Sequence, residues 1–269
     1  MKGILLICHS SLFYGRWAYN IAHSIRAVSS LPIHLACDEK SISRIDLSIF
    51  SSVEKHVFGK DYCYEKINIF DKSPYEETLY LDVDGLVFKD PIEIFEELKG
   101  LDIWVQPMGR GSRVDNITYN WVDNETIWDK YNLSYWFNTC QTSIVYFTKG
   151  AKGFFDKLKE NYSNRLDLYQ YRDLWGKSKQ HPDELYYSIT LSQLEIELKD
   201  FHPIFFPEKL LNTNTILNEY YILSMYGGNN VKPYAKDLYD RMMSKILVGK
   251  GLYHLYQAHH LYRNKFINQ

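Results

Sequence analysis

The sequence predicts an α/β protein whose mainly parallel central sheet is covered by helices. Two observations lead there. Short apolar runs alternate with amphipathic stretches along most of the chain, the pattern of strand–helix–strand units. Several of those runs turn polar at their ends, as buried strands do where they leave a sheet. The chain has 269 residues, 45% hydrophobic and 24% charged, which is ordinary for a globular protein and supplies a core for one large domain or two small ones.

The elements follow in order. "GILLICHS" is a first buried strand with a polar exit. In "YGRWAYNIAHSIRAV", Trp17, Ile21, Ile25 and Val28 recur at helical spacing. "LPIHLACDE" is a second strand ending at Asp38, and "VEKHVF" a weaker third. "TLYLDVDG" is the next strand. "PIEIFEEL" is a helix with Pro91 in its first turn and Ile94, Phe95 and Leu98 on one side. "LDIWVQP" and "TSIVYFTKG" are strands, "AKGFFDKLKENY" and "PDELYYSITLSQLEIEL" helices, and "FHPIFFP" a late strand. No internal repeat or low-complexity linker interrupts the series. The glycines and proline of "GGNNVKPY" mark a boundary, giving a main domain over 1–226 and a C-terminal extension over 227–269, a candidate lid.

Composition narrows the function. A net charge of -2 argues against a dedicated nucleic-acid binder. The 23 tyrosines suit a core and a sugar- or base-binding surface alike. Cys8, Cys37, Cys63 and Cys140 are scattered, without a CxxC pair, and read as reduced thiols of a cytoplasmic protein. "ILLIC" is too short for a signal segment, and no run reaches the roughly 20 apolar residues of a membrane span. The expectation is a soluble, unprocessed chain.

The chemistry concentrates in "TLYLDVDGLVF". Residues two apart in an extended chain point to one side, so Asp82 and Asp84 converge on one target if the extended geometry persists through Val83. Gly85 then permits a turn or a close backbone approach. Two such carboxylates repel unless a divalent cation lies between them, and carboxylates suit hard ions such as Mg2+ or Mn2+. The bland alternative is a surface turn with two solvated acids. The apolar residues on either side favour a held site, and carboxyl ends of parallel strands are where open α/β sheets take ligands.

"YEETLYLDVDGLVFKDPIEIFEEL" resembles the metal-binding signature of GT-A-fold nucleotide-sugar glycosyltransferases, particularly the family-8-like, glycogenin- and galactosyltransferase-like group. "FNTCQTSIVYFTKG", "HPDELYYSITL" and the opening "LICHSSLFYGRWAYNIAHSIRAV" match further family stretches in the same order, so the resemblance spans roughly residues 3 to 210. The chain is also similar to nucleotide-sugar transferases encoded by bacteriophages. The resemblance implies a GT-A-like, Rossmann-like fold and a metal-dependent hexosyl- or pentosyltransferase. The donor would be a nucleoside-diphosphate sugar, with UDP favoured and retention of configuration inherited. Asp84 would ligate the metal, and Asp82 would touch the donor and could ligate too. Lys66 would approach the donor, and Asn138 and Gln141 would hold sugar hydroxyls. Asp183, with Glu184 beside it, would be the carboxylate near the anomeric carbon. His9 and Ser10 would face the nucleotide.

This sequence departs from the family's pattern at three places. The family's third metal ligand is a C-terminal histidine. His254, His259 and His260 are candidates, with His259 taken as ligand and Lys265 as a diphosphate contact. Cys140 replaces a glycine in "FNTCQTS", and the family's Asp-Gln pair is Asp183-Glu184 here.

Two other readings use the same residues. "LYLDVDGLV" also resembles the Asp-x-Asp-Gly-Thr motif of haloacid-dehalogenase-type phosphohydrolases, in which Asp82 would be a nucleophile with Mg2+. Against it stand the motif's place far from the first strand, Leu86 in place of threonine, and no downstream acidic pair. A non-catalytic nucleotide-sugar binder is the third reading.

Remaining features are weighed against packing. Packing accounts for at least two of Trp121, Trp128 and Trp136, while an exposed one would stack on a sugar or base. Arg110 and Arg113 lie in a glycine-rich loop suited to phosphate or acceptor, or simply to solvent. The basic tail from Lys232, with Lys236, Arg241, Lys245, Lys250, Arg263 and Lys265, reads as a packed helix, a lid, or a nucleic-acid contact. The bacteriophage resemblance adds a modified phage DNA base as one candidate acceptor. Asp38 is a lesser candidate for ribose or base, and His181 reads as structural.

Overall fold

The structure, a computed structural model, describes residues 1–59, 62–112, 124–133, 136–164, 182–205 and 213–224. The predicted α/β architecture is present. Strand β1 (Lys2–Cys8) is buried from Gly3 onward and leads into helix α1 (Leu12–Val28). The buried face of α1 is Gly15, Ala18, Ile21, Ala22, Ser24 and Ile25. Trp17 and Val28, expected in the apolar stripe, are only half-buried. The reason is close approach: a Cβ on Gly15 would stand 1.9 Å from the Ser41 carbonyl oxygen, so the contact needs small residues and turns the large ones aside.

Strand β2 (Ile33–Cys37), the short helix α2 (Glu39–Ile42) and strand β3 (Ser52–Lys55) follow, with β3 parallel to β2. Helices α3 (Tyr62–Ile67) and α4 (Ile69–Lys72) precede strand β4 (Glu77–Leu81). Strand β5 (Gly85–Val87) and helix α5 (Ile92–Glu97) come next. Asp90 begins α5, its Oδ1 accepting from the Ile92 N–H at 3.0 Å. Strand β6 (Ile103–Ser112), helix α6 (Asn124–Tyr131) and strand β7 (Trp136–Thr148) follow, with both strands longer than predicted and paired antiparallel. Helix α7 (Lys152–Ser163) and helix α8 (Asp183–Gln193) are succeeded by β8 (Ile204–Phe205), α9 (Thr213–Glu219) and β9 (Ile222–Ser224).

The main sheet has the order β3-β2-β1-β4-β7-β6. Asp38, just past β2, donates its N–H to Cys8 O at the end of β1, and Glu76 and Glu77, at the start of β4, donate to Met1 O. β1, β2 and β4 therefore run the same way. Lys149, just past β7, donates to Glu76 O, so β7 runs against β4 as well as against β6. The sheet is thus mainly parallel. A second sheet, not foreseen from the sequence, has the order β5-β9-β8, with β5 antiparallel and β8 parallel to β9.

The chain divides into two compact units, each of three segments. Unit 1 comprises residues 1–5, 57–80 and 98–202, and its core includes Trp104, Phe147, Phe155, Tyr162, Tyr186 and Tyr187. Unit 2 comprises 6–56, 81–97 and 203–269, with Ile21, Ile25, Leu35, Leu86, Val87 and Leu223 fully buried.

Candidate functional site

In unit 2, three strand exits carry the polar residues singled out from the sequence. β4 ends at Leu81, and Val83 and Asp84 form a turn, so the extended geometry expected through Val83 does not persist. Alternation survives the turn nonetheless. Val83 is buried at 7% exposure, while Asp82 and Asp84 on either side are half-buried. The turn is possible because β5 starts at once and pairs with β9. A Cβ at Gly85 would stand 3.1 Å from Leu223 O, which is the close backbone approach expected of this glycine.

At the β1 exit, Ser10 has φ 73, a left-handed conformation that is uncommon for serine. It is held there by two contacts. Its N–H donates to Asp38 Oδ2 at 2.6 Å, and its hydroxyl lies 2.8 Å from His9 Nδ1. The other Asp38 oxygen accepts from the Ser41 N–H at 2.8 Å and from the Ser41 hydroxyl at 2.5 Å, capping α2. Burial pushes the Asp38 carboxyl up. The hydrogen bonds from the Ser41 hydroxyl and from the Ser10 and Ser41 N–H groups outweigh that and hold it below the usual carboxylate range. Both oxygens of Asp38 are thus engaged in bracing the loop after β1.

Unit 1 carries the second group. α8 is buried along nearly its whole length and packs on β7 through small polar side chains. The Asn138 N–H donates to Ser192 Oγ at 3.0 Å, Cys140 Sγ lies 3.4 Å from Ser188 Oγ, and the Thr142 hydroxyl donates to Asp183 Oδ2. Asn138, Cys140 and Thr142 are alternate residues of a strand and share a face. The Cys140 that replaces a glycine fits against Ser188, and burial pushes its thiol well up.

Asp183 is 5% exposed, and its Oδ2 also lies 3.4 Å from Lys66 Nζ. The structure therefore pairs two residues that the sequence reading placed in separate motifs. Tyr187, one helical turn along α8, donates its hydroxyl to Lys66 O at 2.9 Å and fixes that segment against the helix. Glu184 is half-buried. The Asn138 amide donates to Ile196 O at 3.1 Å, tying down the chain after α8, and Gln141 Oε1 accepts from the Thr142 N–H at 3.0 Å. That chain leaves the helix at Leu194, with Glu195 left-handed at φ 52, so α8 is shorter than the predicted stretch.

Thr142 and Tyr187 were not foreseen. Thr142 could have been found from its period-two relation to Asn138, whereas nothing in the sequence marks Tyr187. His181, His254, His259, His260, Lys265, Arg113, Trp121 and the other basic residues of the tail lie outside the described residues. Trp128 is buried and packs at 5.4 Å from Phe137, as the packing reading expects. Trp136 is exposed.

Asp82 and Asp84 were tested as holders of a divalent cation. Among the described residues no group of three or more His, Cys, Asp and Glu is placed to hold a metal ion. A half-buried carboxylate pair nonetheless fits Mg2+ or Mn2+. These ions commonly take one or two protein carboxylates and complete their shell with water and substrate phosphates.

No protein-family model matches the chain, and no curated protein matches it. Solved structures do. A galactosyltransferase, LgtC, determined with donor and acceptor sugar analogues, superposes with a TM-score of 0.56 at 12% identity, covering 93% of this chain and 100% of that one. Mouse xyloside xylosyltransferase 1 gives 0.50 at 12% identity, over 86% of this chain and 99% of that one. The glycosyltransferase GlyE of Streptococcus pneumoniae TIGR4 gives 0.50 at 13%, over 93% of this chain and 63% of that one. The mixed sheet, its strand order and these superpositions together give the chain the GT-A-type α/β fold found in glycosyltransferases.

Proposed function

We propose that this protein is a glycosyltransferase that moves a hexosyl or pentosyl group from a nucleoside-diphosphate sugar, a UDP-sugar by resemblance, with the aid of Mn2+ or Mg2+. The observation that carries the reading is the pair of half-buried carboxylates, Asp82 and Asp84, at the carboxyl end of β4. The strand order reverses between β1 and β4, and open α/β sheets take ligands at such a reversal. In the transfer, the bond from the anomeric carbon to the diphosphate oxygen breaks. An acceptor oxygen bonds to that carbon and gives up its proton. A metal held by Asp82 and Asp84 would supply positive charge to the leaving diphosphate.

Asp183 is the carboxylate assigned to the sugar. Thr142 and Lys66 hold its oxygen in place, so it meets a developing positive charge without reorganising. His9 and Ser10 are assigned to the nucleotide, the latter held by Asp38. His259 and Lys265 are assigned to metal and diphosphate by resemblance alone. A modified DNA base is one candidate acceptor, on the phage-like resemblance, and the location we assign is the cytoplasm, a reading supported by cysteines that are free among the described residues.

The test is thermal melting and calorimetry with a panel of nucleoside-diphosphate sugars, with and without Mn2+, on wild type and Asp84→Asn. A native-state ligand raises the melting temperature by mass action. One donor should bind wild type only with metal, and Asp84→Asn should lose that response and all donor turnover while melting like the wild type. Full turnover by Asp84→Asn in excess EDTA would sink the reading. So would hydrolysis of a phosphomonoester with Mg2+ in the absence of any donor binding, which would make Asp82 a nucleophile.

A further inference from the structure

Trp136, the first residue of β7, is 41% exposed, whereas Trp104 in the same unit is fully buried. An indole left at the surface is unremarkable when it is loose, but this one is held. The Arg110 guanidinium lies over its ring, 4.8 Å from the centroid. Arg110 also pairs with Glu197, Nη1 to Oε1 at 3.1 Å, across a contact open to solvent in which Glu197 is 81% exposed. Arg110 pairs with Asn138 and Ser112 with Trp136 across the β6–β7 ribbon, so arginine and indole stand diagonally on one face. Glu197 follows the left-handed turn that ends α8. The result is a stack of carboxylate, guanidinium and indole on a two-stranded ribbon. The cation–π contact restricts the indole before a ligand arrives, so covering it costs less freedom than covering a ring without that contact.

The chemistry of the stack selects its ligand. The positive charge of Arg110 is met by Glu197, so the patch offers an aromatic surface and hydrogen-bonding groups with little net charge. A pyranose suits this surface: its C–H face packs on the side of the indole that the guanidinium leaves uncovered. A phosphodiester chain needs uncompensated cations, and this chain carries a net charge of -2. Position adds a length. Trp136 lies six residues before Thr142, which holds Asp183, so strand geometry separates the stack from that carboxylate by about 20 Å. That span is several sugar rings.

We infer that Trp136, Arg110 and Glu197 form a subsite for the distal rings of an extended glycan acceptor whose reacting end lies near Asp183. The acceptor role rests on the glycosyl-transfer reading, while the glycan contact stands independently of it.

The experiment applies the full chain to an array of defined glycans, then titrates soluble oligosaccharides of increasing length while following tryptophan fluorescence. Donor hydrolysis with Mn2+ is measured in parallel. Wild type should bind at least one glycan series with affinity rising with length. Trp136→Ala should weaken it roughly tenfold or more, the scale of an anchoring aromatic. Trp136→Phe should restore most of the binding, and donor hydrolysis should be unchanged in both variants. Glycan binding that ignores Trp136, no glycan binding by wild type, or Trp136-dependent binding of a single-stranded oligonucleotide instead would each overturn the inference. Trp136-dependent glycan binding without donor hydrolysis would uphold the subsite and remove the transferase reading, so the two failures are distinct.

Discussion

Asp183 sits in a pocket of compensating contacts, with the Thr142 hydroxyl and the Lys66 ammonium both on one oxygen. Asp183→Asn keeps the shape and removes the charge. It removes the charge that lies 3.4 Å from the Lys66 ammonium, and losing one side of a buried charged contact costs about 1–3 kcal/mol. Donor binding, measured by calorimetry, should persist in this variant while turnover falls at least a hundredfold. Unchanged turnover would take Asp183 out of the site. Asp38 offers a pH test of the bracing role. Its folded carboxyl lies below the usual range, so it contributes stability that is present above the unfolded value near 4 and lost as pH falls through the folded one. Urea melts of wild type and Asp38→Asn should therefore differ at pH 7 and draw together as pH falls through the folded value. A gap that stays constant with pH would show that the hydrogen bonds, not the charge, carry the effect.

Among the elements, α1 and α7 give opposite expectations for the same substitution. Gly15 in α1 faces the Ser41 carbonyl at a distance that admits no Cβ, so Gly15→Ala must push α1 and α2 apart, at a cost of about 1–3 kcal/mol. Gly153 in α7 has nothing within 4 Å of where a Cβ would stand, so Gly153→Ala should stabilise by about 0.5 kcal/mol through helix propensity alone. Differential scanning calorimetry of the two variants separates a packing glycine from an incidental one. The same contrast explains why the α1 stripe was read only in part. Apolar periodicity finds Ile21 and Ile25, which are fully buried as expected, but not the Gly15, Ala18, Ala22 and Ser24 that share their face. The positions of β1, β2, β4, α5, α7 and the start of α8 were legible because each is a continuous apolar run or a clean helical repeat. The late strand predicted in "FHPIFFP" is present as β8, but the second sheet was not legible, because β5 and β9 are three residues long and acquire their pattern only by pairing.

At the scale of the molecule, unit 1 and unit 2 are each assembled from three separated stretches of chain. Unit 1 buries Leu5, Ile67 and Leu79 as well as Phe155 and Tyr187, and unit 2 buries Leu35, Leu86 and Leu223, so each core is scattered along the sequence. That scatter explains how the candidate site could be half legible. Asp82 and Asp84 stand two residues apart in unit 2 and announce themselves, whereas in unit 1 Lys66, Thr142 and Asp183 come together only when α3, β7 and α8 pack. The contact of α8 with β7 has one more implication. From Asn138 to Thr142 the strand advances about 13 Å, and from Ser192 to Asp183 the helix advances about 13.5 Å. The two act as the jaws and the beam of a caliper, closed on Ser192 at one end and on the carboxylate at the other. Adding or deleting a residue inside this segment changes one length without the other. The place of the Asp183 carboxylate is thus gauged from the far end of the helix, where no reacting group stands.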